Sequence, residues 1–190
     1  ARAEDLLKRF SIYRLRANVS FEALKGWHVY AAWAEDITPQ NAITARDPRH
    51  EKLGLRYYSS SPLTLGATGD YEHHRITLCI PDGARDMHIE KSFLLEFDFE
   101  RLNGVSFSKG CYVGQEVTAR SKFRGQVRRK LCMVKSESAL PPPGTPITVD
   151  EKTIGELRSV SGEIGLALLS TDWLEKPEVF WVKCNTIELV

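Results

Sequence analysis

Residues 109–120 read KGCYVGQEVTAR, and within this stretch Gly110 and Gly114 flank Cys111. Apolar residues then recur at roughly helical spacing. The pattern predicts a glycine-permitted turn that leads into a short helix, with Cys111 at or just before the first helical turn. The apolar positions of this predicted segment are Val113, Val117 and Phe123.

Cys111 has two interpretations from the residues alone. A helix N-terminus offers unpaired N–H groups and the positive end of the helix dipole, which favour a thiolate. Lys109 and Arg120 add positive charge, and Glu116 is expected to pair with Arg120 one turn away. Against this, a free cysteine usually behaves as a small buried hydrophobe and is inert. Both interpretations stay open at this level.

Composition excludes several classes of protein. The chain has 190 residues and a formal net charge of +1, so bulk charge gives no reason to expect nucleic-acid binding. No apolar run approaches the roughly 18 residues of a membrane span. The cysteines are far apart and lack zinc-site spacing, which indicates a reducing compartment and no permanent metal site. They are Cys79, Cys111, Cys132 and Cys184.

The first third of the chain predicts a helix followed by strands. Residues 3–10 have an amphipathic helical pattern, and residues 11–19 alternate as in a strand. Further strands are predicted at 27–33, 43–49 and 54–58. A helix with several strands indicates half of an α/β sandwich.

The remainder predicts a helical middle and a β-rich end. Residues 69–80 are helical in pattern and end at a Pro-Asp-Gly turn, after which an irregular arm leads to the cysteine segment. Short strands separated by Gly and Pro then indicate a small antiparallel barrel. These strands are predicted at 127–134, 147–149, 154–160, 164–169 and 179–184. The predicted domains are therefore 1–68, 69–126 and 127–190.

A basic stretch follows the cysteine segment. Residues 124–130 contain four basic residues, and Lys122 adds a fifth. Such a run is usually a solvated face, although it also suits the anionic tail of a ligand or RNA.

Two further groups of residues have both a structural and a functional interpretation. Three carboxylates after the predicted helix resemble a catalytic group but are expected to be solvated. Four aromatic residues in the predicted strands are expected in the core rather than around a flat ligand. The carboxylates are Asp82, Asp86 and Glu90, and the aromatic residues are Tyr13, Trp27, Tyr30 and Trp33.

Residues 104–116, GVSFSKGCYVGQE, together with Ala119 and Arg120, resemble the signature of the YgfZ family. This resemblance implies a folate-binding protein of iron–sulfur cluster assembly or repair, in a family that includes a mitochondrial counterpart. The family is related in fold to the aminomethyltransferase (T-protein) of glycine cleavage. The implied fold is α+β and T-protein-like, with a partial ferredoxin-like α/β sandwich, a helical middle lobe and a C-terminal antiparallel β-barrel.

The resemblance also assigns roles to residues. Cys111 corresponds to the functional cysteine, with transient contact to a cluster and no resident metal. The expected cofactor is tetrahydrofolate, contacted by Arg75, Glu96 and Arg124. The residues expected to shape the signature loop and helix are Lys109, Gly110, Tyr112, Gly114, Gln115, Glu116 and Arg120.

One departure bears on the reaction. Residues 75–81 resemble a family segment that ends in Gly-Ile-Pro, with Cys79 in place of the glycine. Thr77 stands where the T-protein has a glutamate that contacts the pterin. The resemblance therefore implies an accessory or maturation factor rather than a conventional enzyme. The alternatives are a folate-dependent aminomethyl transferase and an accessory protein of tRNA modification.

The resemblance also implies partners and a location in the cell. Its partners would be reduced folate and iron–sulfur assembly or client proteins, with no membrane and no direct nucleic-acid binding. The expected location is the bacterial cytoplasm or, for the mitochondrial counterpart, the mitochondrial matrix. Because the chain begins with Ala1 and family members carry a further N-terminal segment, we expect it to be a fragment.

Overall fold

The structure is a computed structural model that describes residues 3–34, 39–63, 70–125, 127–174, 180–182 and 185–189. For the last two segments only the backbone is described. Cys184 lies outside the described residues, as does part of the strand predicted at 179–184.

The chain begins with helix α1, Ala3–Tyr13, which buries none of its side chains. The strand predicted at 11–19 is wrong, because the helix continues through its first residues and a turn follows. Ser11 Oγ donates a hydrogen bond to Leu7 O at 2.8 Å, one turn back in the helix. Backbone hydrogen bonds between neighbouring turns, such as the one from Arg14 N to Phe10 O at 3.0 Å, thus outweigh the short apolar alternation that suggested a strand.

An antiparallel sheet of three strands follows, in the order β1-β3-β2. Tyr30 of the first strand lies opposite Tyr57 of the central one. The strands predicted at 27–33, 43–49 and 54–58 are confirmed, the first two with shorter limits and the third shifted by one residue. The observed strands are β1 (His28–Ala32), β2 (Ile43–Arg46) and β3 (Leu55–Ser59).

A buried carboxylate joins this sheet to the next part of the chain. Asp47 is 4% exposed and accepts hydrogen bonds from Arg49 and Arg56. Burial by itself raises the pKa of Asp47, but these bonds outweigh burial and lower it to about 2. Arg49 also donates to Tyr71 Oη at 2.9 Å. The sheet is therefore tied to the helix that begins at Tyr71.

The middle of the chain contains two short helices and much irregular backbone. Helix α2, Tyr71–Thr77, starts at Asp70, whose carboxylate accepts a hydrogen bond from His73 N at 3.1 Å. The helix predicted at 69–80 is confirmed with shorter limits, and residue 69 lies outside the described residues. A 3-10 turn spans Leu94–Phe97, and helix α3 spans Gln115–Phe123.

The last third forms a closed antiparallel barrel in the strand order β4-β7-β6-β5-β8-β9. The predicted barrel is confirmed. The final strand and the short helix α4, Thr171–Leu174, were not predicted. The barrel strands are β4 (Arg129–Ser136), β5 (Pro146–Val149), β6 (Lys152–Ser161), β7 (Ile164–Ser170), β8 (Phe180–Val182) and β9 (Asn185–Leu189).

The prediction of an α+β chain with antiparallel sheets is thus confirmed. The T-protein-like arrangement, the ferredoxin-like sandwich and the three domain limits stay predictions. Among the described residues, no helix has the length and apolar character needed to cross a bilayer.

The middle segment packs against the outside of the barrel. One apolar cluster joins Ile76 of α2 and Phe97 of the 3-10 turn to Leu131, Leu166 and Leu168 of the barrel strands. A separate cluster fills the barrel. Helix α2 and the 3-10 turn are therefore supported by one wall of the barrel.

The burial pattern corrects, in part, the predictions that the three carboxylates are solvated and that the four aromatic residues lie in the core. Asp86 is fully buried rather than solvated, and it forms an ion pair with Arg75 at 2.9 Å. The core prediction is wrong for Tyr13 and Trp27, which are 65% and 37% exposed. Tyr30 and Trp33 are half-buried, and the Trp33 ring stacks on His74 with the ring centroids 4.9 Å apart.

Candidate functional site

The signature loop turns at Gly114, as the sequence predicts. Gly114 precedes α3 with a φ of 84°, a left-handed conformation that glycine adopts without strain. Gln115 N donates to Tyr112 O at 3.2 Å, and Tyr112 N donates to Gln115 Oε1 at 3.3 Å. Cys111 is exposed and lies just before this turn. A tight turn closed by two hydrogen bonds therefore presents the thiol to solvent.

The charged residues of the signature have partners of their own. Arg120 forms the expected pair with Glu116 at 3.1 Å. Lys109 Nζ lies 4.8 Å from the centroid of the Tyr112 ring. Tyr112 Oη is buried and has no hydrogen-bond partner among the described residues. The cations near Cys111 in sequence are thus held by a carboxylate and by an aromatic ring.

A cleft of about 400 Å³ opens beside α3. At its base Glu96, 5% exposed, accepts two hydrogen bonds from Arg129, at 3.0 and 3.1 Å. Arg128 also lines the cleft and forms no ion pair with any described residue. The other lining residues are Phe93, Leu95, Ser121 and Val127. The cleft combines an apolar wall, one buried carboxylate and two guanidinium groups.

The sequence resembles known proteins over most of its length. The family "CAF17, C-terminal beta-barrel domain" matches residues 128–189, the part that forms the barrel. The protein "Iron-sulfur cluster assembly factor IBA57, mitochondrial" of Homo sapiens is 36% identical over 194 residues. The "tRNA-modifying protein YgfZ" of Vibrio vulnificus (strain CMCP6) is 33% identical over 131 residues. The chain is a member of the YgfZ-type family. The prediction from the signature is confirmed.

The similarity covers this chain more fully than it covers the relatives. The human match spans 90% of this chain and 54% of the relative. The Mus musculus IBA57 is 34% identical, over 97% of this chain and 58% of the relative. The Vibrio match spans 68% of this chain and 39% of the relative. The chain thus spans about half the length of its IBA57 relatives.

The three residues that the YgfZ resemblance assigns to a cofactor are used differently in the structure. Arg75 is 1% exposed and donates hydrogen bonds to Glu72, Asp86 and Ser159. Its guanidinium is therefore paired within the protein. Glu96 lines the cleft in its pair with Arg129. Arg124 is exposed at the end of α3. Their binding of a cofactor stays a prediction.

Phe93 and Leu95, two lining residues of the cleft, were not identified from the sequence. Only the basic character of residues 124–130 pointed toward this region. The cleft forms because the 3-10 turn and the start of β4 meet beside α3, although they are more than thirty residues apart in sequence.

The other described cysteines of this YgfZ homologue lie in a different environment from Cys111. Burial raises the pKa of Cys79 to about 11, with a further contribution from Cys132. Burial likewise raises the pKa of Cys132 to about 11. The Cys79 thiol also points to Leu131 O, with Sγ 3.7 Å from the oxygen. Neither thiol is suited to react at neutral pH.

Cys111 should therefore alkylate at least about tenfold faster than Cys79 and Cys132 at pH 7, because it alone of the three is exposed. Iodoacetamide labelling over time, read by peptide mass spectrometry, measures the ranking. Raising the pH toward 11 should accelerate the two buried thiols, because their thiolates form only there. Labelling in urea is the control, where the three rates should converge. Equal rates in the native protein would contradict the assignment.

Proposed function

We propose that this protein supports the assembly or repair of iron–sulfur proteins, with Cys111 as its functional thiol. The observation that carries the proposal is the exposed cysteine at a tight turn of the signature. Relatives named as iron–sulfur cluster assembly factors support it. The protein acts as an accessory or maturation factor in this proposal.

The cluster is cargo rather than a resident group. Iron–sulfur clusters are held mainly by cysteine thiolates, usually four of them. Within the described residues, no three side chains of His, Cys, Asp or Glu gather as a metal site. Cys111 therefore supplies one sulfur ligand, and the remaining ligands come from an assembly or client protein. Its exposure allows such a partner to approach.

Reduced folate is the proposed small-molecule ligand, and the cleft beside α3 fits its chemistry. Phe93, Leu95 and Val127 offer an apolar wall for a flat ring. Glu96 has a carboxylate that suits the amino group of a pterin, and Arg128 suits the carboxylates of a glutamate tail. Bound tetrahydrofolate would supply a one-carbon carrier, and the residues of the cleft would bind and orient it.

Calorimetric titration of the full-length protein with tetrahydrofolate tests this ligand. We expect binding, and we expect Arg128→Ala to weaken it about tenfold because one charge-assisted contact is lost. Lys152→Ala, an exposed change on β6, is the matched control and should leave binding unchanged. An absence of heat and of thermal stabilisation at millimolar ligand would exclude folate as the ligand.

The two alternative functions receive less support. Thr77 is exposed on α2 and donates to His73 O at 2.8 Å, so no carboxylate stands at the position compared with the T-protein glutamate. Aminomethyl transfer is therefore not expected. A link to tRNA modification rests on the name of the Vibrio relatives alone. The near-neutral charge of the chain favours an indirect link through iron–sulfur enzymes.

The proposed location is the mitochondrial matrix rather than the bacterial cytoplasm. The IBA57 relatives from Homo sapiens and Mus musculus are named as mitochondrial, and they match nine-tenths or more of this chain. The wide spacing of the cysteines suits a reducing compartment of this kind.

Depletion of the protein from its own cells tests the proposed function. We expect mitochondrial iron–sulfur enzymes to lose most of their activity, because their clusters are no longer assembled or repaired. Enzymes of the same compartment that lack clusters should keep theirs, and they serve as the control. A uniform fall of both groups, or no fall in either, would contradict the proposal.

A further inference from the structure

Helix α3 turns its polar side toward the protein and its apolar side toward solvent. No residue of this nine-residue helix is buried. Its half-buried positions recur at spacings of three and four, as expected of one helix face, and carry polar or small side chains. They are Gln115, Thr118, Ala119, Ser121 and Lys122.

The opposite face is apolar and cationic. Val113, just before the helix, is 80% exposed, and Val117, one turn later, is 56% exposed. Arg120 and Arg124 follow Val117 at helical spacing. Phe123 adds a further side chain that is 72% exposed. We call these five residues the outer face of α3. Large apolar side chains grouped in this way mark an interaction surface.

The surroundings of the outer face are strongly basic. Residues 109–130 contain seven lysines and arginines against one glutamate, a net charge of +6. The whole chain carries +1, so the other residues carry −5. Arg120 is balanced by Glu116, whereas Arg124 forms no ion pair with any described residue. The outer face therefore presents uncompensated positive charge next to exposed valines.

We propose that the outer face of α3 is a docking surface for an acidic protein, one whose own surface carries an apolar side chain between aspartates or glutamates. Such a partner covers Val113 and Val117 and pairs with Arg124 in one contact. Nucleic acid is a poorer match, because two of the three apolar side chains of the outer face, Val113 and Val117, have no aromatic face on which bases stack. The inference goes beyond the proposed function, since it needs neither the Cys111 thiol nor a folate.

Synthetic polymers test the surface without knowledge of the natural partner. A fluorescent copolymer of glutamate and tyrosine is the probe, and fluorescence anisotropy measures its Kd for the full-length protein. We expect binding at least about tenfold tighter than that of polyglutamate of the same length, because the tyrosines cover the valines. Val117→Asp and Arg124→Glu should each weaken it about tenfold. Melting temperatures of the variants confirm that they fold.

Two control variants show whether the copolymer binds at the outer face of α3. Ile89→Asp is the matched surface change, because Ile89 is 64% exposed and lies outside the basic stretch, and it should bind as the wild type does. Cys111→Ala should also bind normally, which separates this inference from the proposed function.

Three results would overturn the inference. Equal binding of the copolymer and polyglutamate would show that charge alone acts. Tighter binding of bulk tRNA, lost in Val117→Asp and Arg124→Glu, would identify a nucleic-acid surface. A dimer seen by light scattering and abolished by Val117→Asp would show that the face joins two copies of the chain.

Discussion

Replacing Asp86 with alanine is expected to destabilise the protein by about 3–5 kcal/mol, because it leaves a buried guanidinium without its fully buried counter-ion. Asp86 is fully buried, and its Oδ2 lies 2.9 Å from Arg75 on α2. The same carboxylate accepts hydrogen bonds from Asp82 N and from Ser159 Oγ on β6. One side chain thus connects α2, the following loop and the barrel.

The electrostatics of Arg75 support this expectation. Burial by itself lowers the pKa of Arg75, but the hydrogen bond with Glu72 and the charge of Asp86 outweigh burial and raise it. Glu72 is 35% exposed and is shared with Arg85, so it replaces Asp86 only in part. Loss of Asp86 therefore removes the one fully buried counter-ion of Arg75.

Urea unfolding of the wild type and two variants measures the effect. Asp82→Ala is the control, because its carboxylate is one-third exposed and meets Arg85 only at 3.9 Å. This change should alter the free energy of unfolding by about 1 kcal/mol or less. The double variant Arg75→Met/Asp86→Leu should recover much of the loss, since neither charge of the pair then remains buried. A loss in Asp86→Ala no larger than in Asp82→Ala would show that the pair is not structural.

The barrel was the part of the fold most readily predicted from sequence. Gly and Pro turns lie between several of its strands, so local pattern and final structure agree. The strand predicted at 11–19 was wrong for the opposite reason. That segment is exposed throughout, so no packing surface enforces an alternating pattern, and local helix and turn bonds determine its conformation.

Burial of Asp86 could not be predicted from local sequence. Its partners Arg75 and Ser159 lie 11 and 73 residues away along the chain, and only the packing of α2 on the barrel brings them together. A carboxylate in a loop is ordinarily solvated, so the sequence supported the bland interpretation. The same long-range packing assembles the cleft of Glu96 and Arg129.

Some features of the candidate site could be predicted from local sequence and others could not. The turn at Gly114 and the pair of Glu116 with Arg120 follow from local spacing, and both are present. The role of Cys111 came from the family signature, because neither exposure nor function can be derived from a single cysteine. The orientation of α3 was not predictable, since its apolar spacing would ordinarily indicate a buried face.

The second large effect concerns Cys111. Replacing it with alanine removes the exposed sulfur but leaves the turn, whose bonds involve Tyr112 and Gln115 rather than the thiol. We therefore expect a folded protein that has lost nearly all of its function in iron–sulfur assembly. Cys132→Ala, which removes a half-buried thiol, is the matched control and should retain function.

The most direct measurement is complementation of cells that lack the homologue. Full-length wild type, Cys111→Ala and Cys132→Ala are expressed at equal levels, and the activities of iron–sulfur enzymes are assayed. The wild type and Cys132→Ala should restore these activities, whereas Cys111→Ala should leave them near the level of the uncomplemented cells. Full restoration by Cys111→Ala would contradict the assignment of Cys111 as the functional thiol.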